Sequence, residues 1–166
     1  QILWIHLICD GPSDIVLGFE PKEPGLMDEK PMSLHEPILG PLGLSLIGVI
    51  SGSSAIAALA VFGHNWLASR EVALARTCAY AIFAVNPMVY IFAYRSLRRP
   101  LWRSAPIWQN RPLIAAVGVG LAMAVGGVLV PGLRRLLGTV PLYPSQWLVV
   151  IGVALGTLAV VEAGKY

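Results

Sequence analysis

The apolar positions of this chain neither alternate with polar ones nor recur on a helical period. They run on, and the charges punctuate them. Uncharged stretches of 33 residues lie between Glu36 and Arg70, 18 between Arg76 and Arg95, 22 between Arg111 and Arg134, and 26 between Arg135 and Glu162. As helices rising 1.5 Å per residue, these are long enough to cross a hydrocarbon layer of about 30 Å. The pattern predicts helices near 40–63, 73–95, 112–131 and 144–163, and membrane helices tolerate the Gly and Pro inside these windows. A fifth, shorter apolar stretch covers 1–19 and is interrupted by Asp10, Gly11, Pro12 and Asp14.

The connections differ in character. The first, 20–37, holds five acidic residues, two Lys and four Pro, and reads as an irregular, solvated loop. The segment from Arg95 to Arg111 carries five Arg with Trp102 and Trp108 interleaved. Counting alternate sides, the first loop, the Arg-rich loop and the C-terminus share eight Lys or Arg, against four on the other side. The positive-inside bias therefore predicts a cytoplasmic C-terminus, and five spans put Gln1 on the outer side.

Composition agrees with this solvent. Hydrophobic residues make up 56% and charged residues only 13% of the 166, and mean hydropathy is +0.70, which excludes an ordinary soluble domain and intrinsic disorder. The expected class is all-α, a multi-pass transmembrane helix bundle of about five spans, divided into 1–19, 20–37 and 38–166. A net charge of +3 spread along the chain marks membrane flanks and lipid contact, not a nucleic-acid partner. Cys9 and Cys78 form no disulfide framework and no CxxC pair. The chain begins at Gln1 within an apolar stretch, as expected of a piece of something longer.

The chemistry concentrates in the first stretch. An ionisable residue inside an apolar helix is costly, so Asp10 is a functional candidate. His6, Cys9 and Asp10 stand at i, i+3 and i+4, which on an α-helix places them on one face. Pro12 cannot donate to the carbonyl of Ile8 and Gly11 loosens the backbone, so the helix is expected to open there and aim free carbonyl oxygens at a cation. A carboxylate with carbonyls suits a hard cation; imidazole and thiol add softer ligands. The competing reading makes 1–19 an interfacial end with Asp10 and Asp14 facing water.

The run Gln1-Ile-Leu-Trp-Ile-His-Leu-Ile-Cys-Asp-Gly-Pro, with the exit Leu17-Gly-Phe-Glu-Pro, resembles the sixth transmembrane helix of calcium-pump-like P-type cation-transporting ATPases. There the pattern is Gln-(Ile/Leu)-Leu-Trp-(Ile/Val)-Asn-Leu-Val-Thr-Asp-Gly. Lys22-Glu-Pro-Gly-Leu-Met-Asp-Glu-Lys-Pro and Glu36-Pro-Ile-Leu are similar to that family's loop between helices six and seven. Arg95-Ser-Leu-Arg-Arg-Pro-Leu-Trp resembles the end of helix eight, and Gly138-Thr-Val-Pro-Leu with Gln146-Trp-Leu resembles the approach to helix ten.

The resemblance implies a fragment of a ten-helix P-type ATPase membrane domain, helices six to ten, with the N-terminal part of the pump, membrane lipids and the transported cation as partners. ATP and magnesium would belong to cytoplasmic domains outside these residues. The family's Asp-Lys-Thr-Gly phosphorylation motif does not occur in this sequence, so the chain is expected not to hydrolyse ATP alone. By position, Asp10 matches the ion-binding carboxylate, while His6 replaces a common Asn and Cys9 a common Thr. Those departures leave calcium, a softer divalent metal and a proton-coupled mechanism open. In the eighth helix, Val85-Asn86-Pro87-Met88 has no carboxylate, and Asn86 is either an ion contact or a polar packing residue beside a Pro87 kink.

Other polar residues have plainer roles. Asp14 is expected at a solvated helix end or on the ion path, His64 at an outer boundary, and His35, Glu20, Glu23, Asp28, Glu29 and Glu36 on a solvated face. Arg95, Arg98, Arg99 and Arg103 could grip anionic lipid or dock another domain. Glu162 and Lys165 are boundary residues able to pair at i, i+3. Against a pump stands a non-transporting membrane scaffold derived from one; an unrelated membrane enzyme would need a second polar cluster, which the sequence does not offer.

Overall fold

Wherever the chain lacks charges over a long run, it is helical. The computed structural model describes residues 1–20, 40–96, 101 and 106–165, and all regular structure among them is helical. Glu23, Asp28, Glu29, His35, Glu36, Arg98, Arg99, Trp102 and Arg103, and the expectations attached to them, lie outside the described residues.

The first segment is built in three pieces: α1 (Ile2–Trp4), a π-helical stretch (Ile5–Asp10) and α2 (Gly11–Leu17). Four longer helices follow, α3 (Pro41–Ser69), α4 (Val72–Tyr90), α5 (Arg111–Leu129) and, after the short α6 (Pro131–Leu137), α7 (Pro144–Ala163). Among the described residues, four helical stretches are long and apolar enough to cross a membrane: Gly43–Ser69, Val72–Arg95, Arg111–Leu129 and Pro144–Ala163. The first segment, about 24 Å of helix at the α rise, is shorter than these.

Local chemistry sets the ends. α3 runs past the expected stop at 63 because Asn65 donates to the Val61 carbonyl at 2.8 Å and Ser69 Oγ to that of Asn65 at 2.8 Å, so the polar side chains there are absorbed by the helix itself. It ends at Arg70, whose φ of 58° is left-handed and whose guanidinium lies 5.9 Å from the Trp66 ring. α4 continues through Pro87 and then tightens into a 3-10 turn, Ile91–Arg95. α5 starts under an Asn110 cap that accepts from the Leu113 N–H at 3.0 Å. It stops at Leu129, two residues short of expectation, because Pro131 pushes Val130 into extended backbone (φ −77°, ψ 120°).

α4 is the hub. Of its apolar window 56% is buried, against 22% for α3, which packs on one side of α4 with α7 while α5 and the π-helical stretch pack on the other. Close approach is made possible by Gly127, where a Cβ would collide with the Tyr80 hydroxyl and lie 2.9 Å from Leu137 Cδ1.

One end of the bundle is tied by buried charges. Glu20 Oε1 accepts from Arg95 Nε at 2.7 Å, and Oε2 accepts from Asn110 Nδ2 at 2.9 Å. Burial pushes the Glu20 carboxyl up, but the hydrogen bonds from Arg95 and Asn110 and the Arg95 charge outweigh it and hold the group below its ordinary value. Glu20 is therefore not a solvated loop residue, and buried Arg95 is committed to it instead of to lipid. Glu162 is buried too: it accepts from Lys165 Nζ at 2.7 Å and from the Leu101 N–H at 2.9 Å, and Lys165 also donates to the Ala93 carbonyl at 2.7 Å. The expected i, i+3 pair forms, but inside the fold. At the opposite end the ties are neutral or carbonyl-directed: Gln1 Nε2 to the Leu137 carbonyl at 2.8 Å, Thr139 Oγ1 to that of Gly127 at 2.6 Å, and the Val140 N–H to Thr77 Oγ1 at 3.1 Å.

Candidate cation site

The first segment does not open at Gly11–Pro12. It widens one turn earlier: the Gly11 N–H reaches the His6 carbonyl, an i→i+5 bond, and the backbone resumes α-helical geometry through Pro12. Pro12 has no N–H to offer the carbonyls of this turn, and Ser13, fully buried, donates its hydroxyl to a different one, that of Asp10, at 2.7 Å. The expected discontinuity is present as a π turn, not as a break.

That turn changes which side chains share a face. Asp10 is buried at 9% exposure, which removes the interfacial reading for it, while Asp14 is exposed. His6 Nδ1 lies 3.5 Å from Asp10 Oδ2, with the imidazole 72% exposed. Both residues line a cavity of about 450 Å³ walled by α3 and α4 through Ile50, Ser51, Ser54, Phe83, Pro87 and Tyr90. A smaller cavity of about 210 Å³ shares Asp10, Pro87 and Tyr90 and adds Asp14 and Tyr94. Cys9 lines neither. Wholly buried, it joins the core cluster with Tyr80, Val85 and Ala124, because a wider turn does not superpose i and i+3 as an α turn does. The shared face of three expected from α spacing is thus a pair, and among the described residues no three His, Cys, Asp or Glu side chains converge to hold a metal.

Asn86 approaches from α4. It is 1% exposed, its Nδ2 donates to Ser54 Oγ at 2.9 Å, and its Oδ1 has no partner among the described residues. Asp10 Oδ1 is likewise buried and without one. Two buried oxygen acceptors are thus left without partners: Asp10 Oδ1 on the cavity wall, and Asn86 Oδ1, whose residue lines neither cavity and reaches the larger one only through its bond to Ser54. An apolar surrounding makes unsatisfied acceptors costly, so each is suited to a cation or its water.

Two contributors escaped sequence reasoning. Ser54 ends a small-residue run, Ser51-Gly-Ser-Ser54, that by itself suits close helix packing; its partner 32 residues away cannot be read from spacing. Gly120, in the stretch Gly118-Val-Gly120, reads from sequence as a packing glycine, and a Cβ there would sit 2.7 Å from the Cys9 carbonyl oxygen and 2.6 Å from Met88 Sδ, so α5 presses on the π turn itself.

The fold and these open oxygens define a class: a multi-pass membrane helix bundle with a carboxylate held between its helices. The family profile described as "Cation transporting ATPase, C-terminus" matches residues 1–166, and the chain belongs to that family. It is 29% identical over 157 residues to a calcium-transporting ATPase of Bacillus subtilis, covering 93% of this chain and 17% of the relative. It is 29% identical over 163 residues to a probable cation-transporting ATPase F of Mycobacterium bovis, covering 97% and 18%. It is 23% identical over 199 residues to an endoplasmic reticulum calcium ATPase of Aspergillus fumigatus, covering 100% and 20%. The chain spans about a fifth of the length of these curated relatives.

Proposed function

We propose that this chain is the C-terminal membrane portion of an ATP-driven cation pump and that it supplies part of the transmembrane cation site. The observation that carries the reading is the pair of buried, unpartnered oxygens, Asp10 Oδ1 and Asn86 Oδ1. In this reading Asp10 is the charged ligand and Asn86 a neutral one. His6, within reach of Asp10 and at the exposed side, is a further ligand or a positioning group for the carboxylate. Cys9 acts from behind: its backbone carries the π turn that Gly120 supports, and its thiol is the ligand candidate least favoured by the packing. The transported ion is cargo, calcium or another divalent metal or a proton, and the relatives' names favour a metal cation.

The remaining parts of such a pump would bind ATP and magnesium and cover the exposed side of the first segment, where Ile2, Leu3, Leu7 and Ile15 are exposed. The Arg-rich end and the C-terminus would face the cytoplasm, by the charge bias, with the pump in the plasma membrane.

The test is made in the full-length parent. Asp10→Asn is expected to abolish cation-dependent phosphorylation from ATP with expression intact. Unchanged phosphoenzyme formation would remove Asp10 from the site. Phosphorylation assayed across calcium, manganese, zinc, sodium and pH identifies the cargo.

A further inference from the structure

We infer that Glu20, Arg95 and Asn110 form a clamp that positions the ion-bearing segment, so that the affinity of Asp10 for its cation depends on an ion pair three residues beyond the end of α2. The inference rests on the pump reading above.

Three observations carry it. First, the clamp joins three elements at one point. Glu20 follows α2, Arg95 closes the 3-10 turn after α4, and Asn110 caps α5, so a single carboxylate receives donors from both helices that flank the first segment. Secondly, its donors are dry, while the Glu20 side chain keeps 16% of its surface exposed. The Arg95 side chain is 1% exposed and Asn110 is 2% exposed; Arg95 Nη2 donates additionally to the Pro106 carbonyl at 3.3 Å, and only its Nη1 lacks a partner among the described residues. Buried charge pairs of this kind are costly to break because the surviving charge has no substitute for water. Thirdly, the segment it holds is short and irregular. α2 has seven residues, and the turn before it is π-helical, closed by i→i+5 bonds and packed on α5 at Gly120. A tie at Gln1 fixes the other end, through the Leu137 carbonyl. A short segment tied at both ends takes its axial position from those ties as well as from its packing, and Asp10 stands between them. Asp10 lies ten residues from Glu20, about 15 Å along an α-helix, too far for direct contact. Glu20 is thus a positioning residue.

The experiment uses the full-length parent and reads two quantities, the cation concentration giving half-maximal phosphorylation from ATP and the maximal phosphoenzyme level. Glu20→Gln is expected to raise the first by about tenfold, the effect of weakening hydrogen bonds to a charged group, and to leave the second unchanged. Asn110→Asp keeps the cap acceptor for Leu113 but sets a carboxylate against Glu20; it is expected to act in the same direction and serves if Glu20→Gln does not accumulate. Glu20→Gln combined with Arg95→Gln should be no worse than Arg95→Gln alone, since the double change leaves no unpaired buried charge. Glu162→Gln is the control: it breaks the other buried ion pair at this end, which does not hold the first segment, and should leave the half-maximal concentration where it was. Equal shifts from Glu162→Gln and Glu20→Gln, or no shift from Glu20→Gln and Asn110→Asp, overturn the clamp. An unaltered parent with no cation-dependent phosphorylation overturns the pump reading instead, and the clamp's role with it.

Discussion

The first segment and the four long helices answer the same problem differently. In α3, α4 and α7 the polar side chains are mostly closed back on their own backbones: Asn65 on Val61, Thr77 on Ala73 at 2.8 Å, and Thr157 on Val153 at 3.0 Å. In the first segment the backbone is widened and a carboxylate oxygen stays open. Asn86 on α4 is a departure from its helix's habit, and it stands where α4 flanks the cavity wall at Ser54. A polar group that a membrane helix satisfies internally holds the helix together; one left open serves something the chain itself does not contain.

That contrast can be broken, beginning with its strongest case. Asp10→Asn, described above, removes the one charge in the open set and should cost the whole cation response. Gly120→Val tests whether the π turn depends on α5. The added side chain meets the Cys9 carbonyl, which is backbone and cannot swing away, so the bundle should lose about 1–3 kcal/mol and cation-dependent phosphorylation should fall with it. Thermal unfolding in detergent, run beside the phosphorylation assay, checks this; unchanged stability and activity would mean that α5 yields freely. Asn86→Leu keeps size and burial but removes the open oxygen. A rise of about three- to tenfold in half-maximal cation concentration marks Asn86 as a contact, whereas a shift in stability alone makes it a packing residue beside Ser54. The smallest effect belongs to the closed set. Thr157→Val deletes a hydroxyl bonded only to its own helix, and should change unfolding by less than about 1 kcal/mol and cation response not at all. A response as large as that of Asn86→Leu would dissolve the distinction between open and closed groups.

Much of the fold was legible because lipid imposes a simple rule: a helix continues until charge or proline stops it. The uncharged runs locate α3, α4, α5 and α7 to within a few residues; the expected 73–95 is met by the stretch Val72–Arg95, and the misjudged ends at Ser69 and Leu129 each trace to a local bond or a Pro. The site was half legible. Asp10, His6 and Asn86 carry their chemistry in their side chains, but the separation of Cys9 from the other two depends on whether the turn holds four or five residues, which α spacing cannot express. Glu20 was misread for another reason. Its acidic neighbours in sequence suggested solvent, whereas its partners, Arg95 and Asn110, lie 75 and 90 residues away.

The π turn also has a consequence for how this chain tolerates insertion and deletion. A turn closed by i→i+5 bonds holds one residue more than the α-helix around it needs. A chain one residue shorter between Ile5 and Asp10 would close an ordinary α ladder and leave Gly11–Leu17 in phase with Gly120 and with the Glu20 tie. Length variants at this one place are therefore compatible with the fold, and what they alter is the direction in which the carboxylate points.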